Sequence, residues 1–314
     1  MDFPIGEFMD EDACYAKLVA VLHPGGLVCP RCRVPRGLKV HRRHRAPVLD
    51  YRCDTCGRVF NAFTGTESHK TRRRPPEILP ILRGVAQGTS TARPARELKR
   101  HRPHLLRLSH RLQALAMRAA NAAALADDAA VEADEMFPNA GEKGIPHPDP
   151  DDPPRRRAKK RRGHGNFAND RPPVVGVAGR TSGGLRAPVV GRTDRATIEG
   201  FVKESARPGA MVSTDEGSAY ADPAGLGFGH ATVNHFAKEW ARDDDGDGIR
   251  EVHDNTLEGI WTGLRNDLRI SRGVSKHYLA QYVAILLWSY NIKAVCDEFL
   301  RVLMGIEVVT DLRT

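Results

Sequence analysis

The sequence predicts an α/β chain in three parts: a cysteine-bearing ribbon, a short helical segment, and a core built around a mixed sheet. Three observations predict it. Four cysteines fall in two pairs, Cys29/Cys32 and Cys53/Cys56, with twenty residues between the pairs. From Glu77 to Ala116 apolar residues recur at helical spacing in short runs broken by Gly and Pro. From Ala129 onward short β-branched runs alternate with amphipathic stretches, the pattern of strands and helices layered around one sheet. The expected boundaries are 1–70 for the ribbon with its N-terminal extension, 71–128 for the helices and 129–314 for the core. A basic insertion is expected at 138–173.

The ribbon comes first. CPRC and CDTCG each sit on a tight turn, so four thiolates can converge on one tetrahedral ion, and zinc suits such a set. Val48, Tyr51, Val59, Phe60 and Phe63 suit short strands around it. Cys14 and Cys296 read as small buried residues. The basic stretch Lys39–Arg45 suits phosphates. The acidic start, MDFPIGEFMDEDACY, carries no signal-peptide pattern, and no run of about eighteen apolar residues exists to cross a membrane. A cytoplasmic chain, associated with the nucleoid, is the expectation.

The helical segment follows a basic linker, His69–Pro76. Helices are expected over Glu77–Gln87, Thr91–Leu98 and Pro103–Ala116, joined by tight turns as in a helix-turn-helix. Pro94 and Pro103 fit first-turn positions. The last helix is the candidate reader of a major groove, with Arg107, His110 and Arg111 near its exposed side.

In the core, Ala129–Ala133 and Met211–Thr214 read as buried strands ending at Asp134 and Asp215. PVVGVAGR and LRAPVVGR read as two more, Arg195–Ser205 as a helix capped by Thr193 or Asp194, and His230–His235 as another strand. A helix starts at Asp254 or Asn255, with Glu258 at capping-box spacing, and turns Leu257, Ile260, Trp261, Leu264 and Leu268 inward. Two strand-end aspartates followed by a helix glutamate is an arrangement that holds Mg²⁺, which wants hard oxygen ligands. Two such ions about 4 Å apart serve phosphoryl transfer. His277–Met304 is a packing helix or pair, interrupted at Tyr290-Asn291. Asp243–Asp254 approaches a calcium-loop pattern but lacks the final Glu, so a solvated acidic turn is the preferred reading.

Charge points to a polyanionic partner. The net charge is +9 and the pI about 9.4, and the positive charge is clustered. Arg155, Arg156, Arg157, Lys159, Lys160, Arg161 and Arg162 put seven cations into eight positions, in a Pro-rich segment unable to bury a core. A DNA backbone is the expected contact.

Taken together, CPRC…CDTCGRVFNAFTGT, VEADEMFPNAGEKG, DPPRRRAKKRRGHG, VSTDEGSAY, NHFAKEWARDDDGDG and NTLEGIWTGLRNDLRISRGVSKHYLAQYV with WSYNIK resemble bacterial insertion-sequence transposases of the DDE type, in the zinc-ribbon-bearing, ISXO2-like group. The resemblance implies a ribonuclease-H-like catalytic domain preceded by the ribbon and the helical DNA-binding segment. It implies that Asp134 and Asp215 are the first two metal-binding carboxylates and that the third is Glu258 or Asn255. Glu258 is preferred because a carboxylate binds a divalent ion better than an amide. Arg265 stands where the family more often has Lys. The implied activity is cleavage at the element's terminal inverted repeats and strand transfer into target DNA, with two Mg²⁺ or Mn²⁺ ions, in a homodimer or larger complex. The rival expectation is a non-catalytic zinc-ribbon DNA-binding protein derived from a decayed transposase.

Overall fold

The computed structural model describes residues 10–120, 125, 128–145, 151, 153, 155, 164–215, 225, 227–234, 237, 239, 241–244, 246–248, 250, 252–292 and 297–306. They fall into two compact units, one drawn from 1–119 with 292–314 and the other from 120–291.

The first unit opens with α1 (Glu11–Leu22), which composition had not suggested. Asp10 caps it, accepting from the Ala13 amide at 2.8 Å. The ribbon is a three-stranded antiparallel sheet, β1 (Leu38–Arg42), β2 (Asp50–Cys53) and β3 (Val59–Phe60). Three helices follow: α2 (Pro75–Ala86), α3 (Ala92–Glu97) and α4 (Arg102–Ala120). Pro75 and Pro76 begin α2 rather than block it, because first-turn amides have no intrahelical acceptor to lose. The C-terminal helix α8 (Asp297–Leu303) returns to this unit. Lys17 pairs with Asp297 at 3.0 Å, the Glu67 amide donates to the Met304 carbonyl at 2.8 Å, and Phe299, Leu300 and Leu303 are buried.

The second unit is a five-stranded mixed sheet between helices. Its strands are β4 (Ala130–Met136), β5 (Val174–Gly179), β6 (Leu185–Arg186), β7 (Met211–Asp215) and β8 (Gly229–Val233), in the order β6-β5-β4-β7-β8. The β4-β5-β6 pairs are antiparallel, and the β4-β7-β8 pairs are parallel. Alternation sorts β4 and β5 cleanly. Val131, Ala133, Val175 and Val177 pack with Ile198, Phe201 and Val202 of α5 (Arg195–Ser205), which Asp194 caps as expected. Met136, Val174 and Ala178 pack with Leu257, Trp261 and Leu264 of α6 (Asn255–Ile270) and Val283 of α7 (Leu279–Ile292). The interruption expected at Tyr290-Asn291 does not occur, since α7 runs through both residues to Ile292. The Asn291 side-chain amide instead accepts from the Leu185 N–H at 2.8 Å and donates to the Leu185 carbonyl at 3.0 Å, tying the helix to β6.

Candidate active site

Sheet register builds the carboxylate pair. β4 and β7 run parallel with Glu132 beside Ser213, so two residues farther on Asp134 lies level with Asp215 on the face turned to α6. Asp215 ends β7, whereas Asp134 lies inside β4, which runs two residues beyond it. Burial pushes the Asp134 carboxyl up to about 7, and the negative charges of Glu135 and Asp215 add to the shift. The Trp261 indole N–H donates to Asp134 Oδ2 at 2.7 Å and works against it.

A glycine makes that hydrogen bond reachable. Gly176 pairs with Asp134 across β4 and β5, and a Cβ there would lie 2.6 Å from the six-membered ring of Trp261 and 3.0 Å from Leu257. The absent side chain lets α6 settle onto the sheet. Glu258 precedes Trp261 by one turn and is exposed, as are Asn255 and, two turns on, Arg265. Among the described residues the carboxylates of Asp134, Asp215 and Glu258 do not close to within 4.8 Å of one another.

The residue that orients this helix is one that sequence reasoning passed over. Glu132 is fully buried, two places before Asp134 and on the same face. Its carboxylate accepts from the Thr256 amide at 2.9 Å, the Leu257 amide at 3.3 Å and the Thr256 hydroxyl at 2.8 Å. Arg180 pairs with it at 3.2 Å, donates as well to the His253 carbonyl, and His253 Nδ1 lies 3.2 Å from the same carboxylate. Glu132 is therefore the cap of α6, supplied by a strand and placed where a negative charge is favoured. This corrects the expected local cap, since Asp254 makes no side-chain cap bond to the helix. The available signal was a glutamate on the same side as Asp134 in a strand otherwise small and apolar.

A second buried cluster involves Arg155. Its guanidinium pairs with Glu142 at 2.7 Å and Asp170 at 3.0 Å, and Lys276 joins both acids at 3.0 and 3.2 Å. Lys276 also donates to the Phe167 carbonyl at 3.1 Å. Both acids are essentially inaccessible, so the four charges need one another. Arg155, expected at a DNA backbone, instead ties together the segments around Glu142, Asp170 and Lys276. Arg156, Arg157, Lys159, Lys160, Arg161 and Arg162 lie outside the described residues.

In the first unit the four ribbon sulfurs lie within 4.8 Å of one another, with Cys29–Cys56 at 3.5 Å and Cys32–Cys53 at 3.6 Å. Sulfurs placed tetrahedrally around zinc at about 2.3 Å would sit roughly 3.8 Å apart, so the set can hold a metal such as zinc. The two turns match. The amides of Arg33 and Gly57 donate to the carbonyls of Cys29 and Cys53, and both residues adopt positive φ. Backbone N–H groups favour the thiolates. That of Cys32, then that of Arg31, holds Cys29 down at about 6, and that of Cys56 lowers Cys53. On α4, Arg107 is exposed, while Arg111 pairs with Glu67 at 2.5 Å. His110 is partly buried, and that burial pulls its imidazole down to about 4. In the acidic turn, Asp243 accepts from the amides of Gly246 and Gly248 at 2.6 and 2.9 Å, and Asp245 lies outside the described residues. Among the described residues no helix is long and apolar enough to cross a membrane.

Residues 125–291 match the family model of the ISXO2-like transposase domain. The chain is also 28% identical over 282 residues to an uncharacterized protein in transposable element ISH50 of Halobacterium salinarum, a match covering 89% of this chain and 90% of that one.

Proposed function

Because the chain belongs to the ISXO2-like transposase family, we propose that it binds the ends of its insertion sequence and catalyses metal-dependent DNA cleavage and strand transfer. The observation that carries the proposal is the level pairing of Asp134 and Asp215 on neighbouring parallel strands, beneath the helix that bears Glu258. The five-stranded mixed sheet supports a ribonuclease-H-like reading of the domain.

Asp134, Asp215 and Glu258 would hold Mg²⁺ or Mn²⁺, with Asn255 on the same helix as the alternative third ligand. Such ions, when bound, supply charge neutralisation at the attacking and leaving oxygens of a phosphodiester. The chain's own part is positional. Asp134 would have to lose the proton that burial favours in order to hold an ion, and the Trp261 N–H anchors its carboxylate by donating to Oδ2. Glu132 holds the start of α6, which sets the height of Glu258 above the sheet. Arg265, exposed on that helix, offers a cation to a phosphate. Arg107 and the cations from Arg156 to Arg162 would hold the DNA backbone, zinc would close the ribbon, and two element ends call for at least a homodimer.

Strand transfer tests this, with purified protein, labelled element ends, a target plasmid and Mg²⁺ or Mn²⁺. Joined product from the wild type is expected, lost in Asp215→Ala and Glu258→Gln and kept in Asn255→Ala. Loss in Asn255→Ala with retention in Glu258→Gln moves the third ligand to Asn255. Tight end binding with no product under either ion marks a non-catalytic DNA-binding protein of transposase descent.

A further inference from the structure

The basic linker before α2 is not a passive tether. Arg45 reaches from the ribbon and donates to the carbonyls of Thr71 at 2.8 Å and Arg73 at 3.3 Å. The next residue, Arg74, is the N-cap of α2, with its amide donating to Glu77 at 3.0 Å. Thr71–Arg74 is thus fixed at both ends, and Arg72 and Arg73 line a cavity of about 270 Å³. Arg100, His101 and His104 line it as well, where the chain turns through Lys99 at φ +50° into α4. Leu105 completes the lining. Among the described residues, five of the six lining side chains are basic and none is acidic. Glu77 lies nearby, but Arg100 Nε engages it at 2.7 Å.

We propose that this cavity seats a backbone phosphate of duplex DNA, so that the helical segment meets the DNA through the turn before α4 and the 71–74 linker. Planar guanidinium groups match phosphate oxygens in pairs, and imidazole N–H groups add single donors. A seat of this kind positions the protein on the duplex without reading bases. The proposal rests on the reading of the chain as a DNA-binding transposase, and adds a contact separate from α4's outer face and from the 156–162 cations.

The test is fluorescence anisotropy of the full-length, zinc-loaded protein on labelled duplexes, one carrying the element end and one scrambled, between 50 and 200 mM salt. Arg72→Ala and His104→Ala change exposed side chains and spare the Arg45 and Glu77 contacts. Each is expected to weaken both duplexes about tenfold at the lower salt, and the slope of log K against log salt should become shallower by about 0.9 for one lost phosphate. Arg72→Lys should recover part of the loss. Unchanged affinity and slope, with wild type binding normally, overturns the phosphate seat alone. Loss confined to the element-end duplex overturns it in favour of base reading. A wild type that binds neither duplex overturns both the seat and the transposase reading. Inorganic phosphate is titrated separately and followed on the His101 and His104 ring protons. Its binding, with duplex affinity unchanged in the variants, overturns the DNA assignment in favour of a small-anion pocket.

Discussion

Replacing Asp134 by Asn removes a charge that the fold opposes, and the effect should depend on pH in one direction only. Burial lifts this carboxyl from 3.8 to about 7. Between those values the unfolded chain has lost the proton and the folded chain keeps it. The unfolded state then binds fewer protons, so stability falls as pH rises through this window and is level above it. Three pH units correspond to about 4 kcal/mol, and relaxation around the ionised group reduces this to about 2–4 kcal/mol. Asn cannot ionise but still offers an acceptor to the Trp261 indole. The variant should therefore melt with the wild type near pH 4 and above it at pH 8, by about 5–10 °C for a unit of this size. All three tryptophans, Trp240, Trp261 and Trp288, fall within 120–291, so tryptophan emission follows that unit. The melts are run without added Mg²⁺ or Mn²⁺. Equal melting temperatures at pH 8, or a gain of the same size at pH 4, would refute the reasoning. The same variant should lose strand transfer, since the charge that burdens the fold is the one proposed to hold the ion.

Gly176→Ala places a Cβ 2.6 Å from a tryptophan ring that is buried and tied to Asp134, so urea unfolding should show a loss of about 2–3 kcal/mol. Glu132→Ala strands the Thr256 and Leu257 amides and Arg180. It should cost about 3–5 kcal/mol in the same assay and depress strand transfer in the fraction that stays folded. Lys276→Met leaves Glu142 and Asp170 to share Arg155, with an expected loss of about 3 kcal/mol. Cys32→Ser should lower bound zinc, measured by elemental analysis, well below one ion per chain, and lower the melting temperature of the first unit, followed by circular dichroism.

Features written as local patterns were legible in the sequence. The inward stripe of α6, the Asp194 cap of α5 and the converging cysteines each depend on residues close together in the chain, and the structure has all three. The pairing of Asp134 with Asp215 needed only the guess that two strands are neighbours. What escaped depends on long-range partners. Asp254 looks like a cap because caps are usually local, yet Glu132 caps α6 from more than a hundred residues away. Arg155 reads as the first of a run of surface cations because nothing beside it reveals that Glu142, Asp170 and Lys276 will surround it. α1 was missed because Cys14, Tyr15, Leu18, Val21 and Leu22 mark a buried face only once α2 and α8 pack against it.

The return of α8 to the first unit has a consequence for the order in which the protein is made. α8 follows residues 120–291 in the chain, so the ribosome completes the entire sheet unit before it supplies the last piece of the N-terminal one. At about 5–20 residues per second this is a delay of roughly ten to thirty seconds. During it, the surface that α8 covers stays open on the nascent chain. Closure of the N-terminal unit is thus tied to translation having passed the sheet, and a product ending before Asp297 would carry the ribbon cysteines and α4 without the packing that α8 provides.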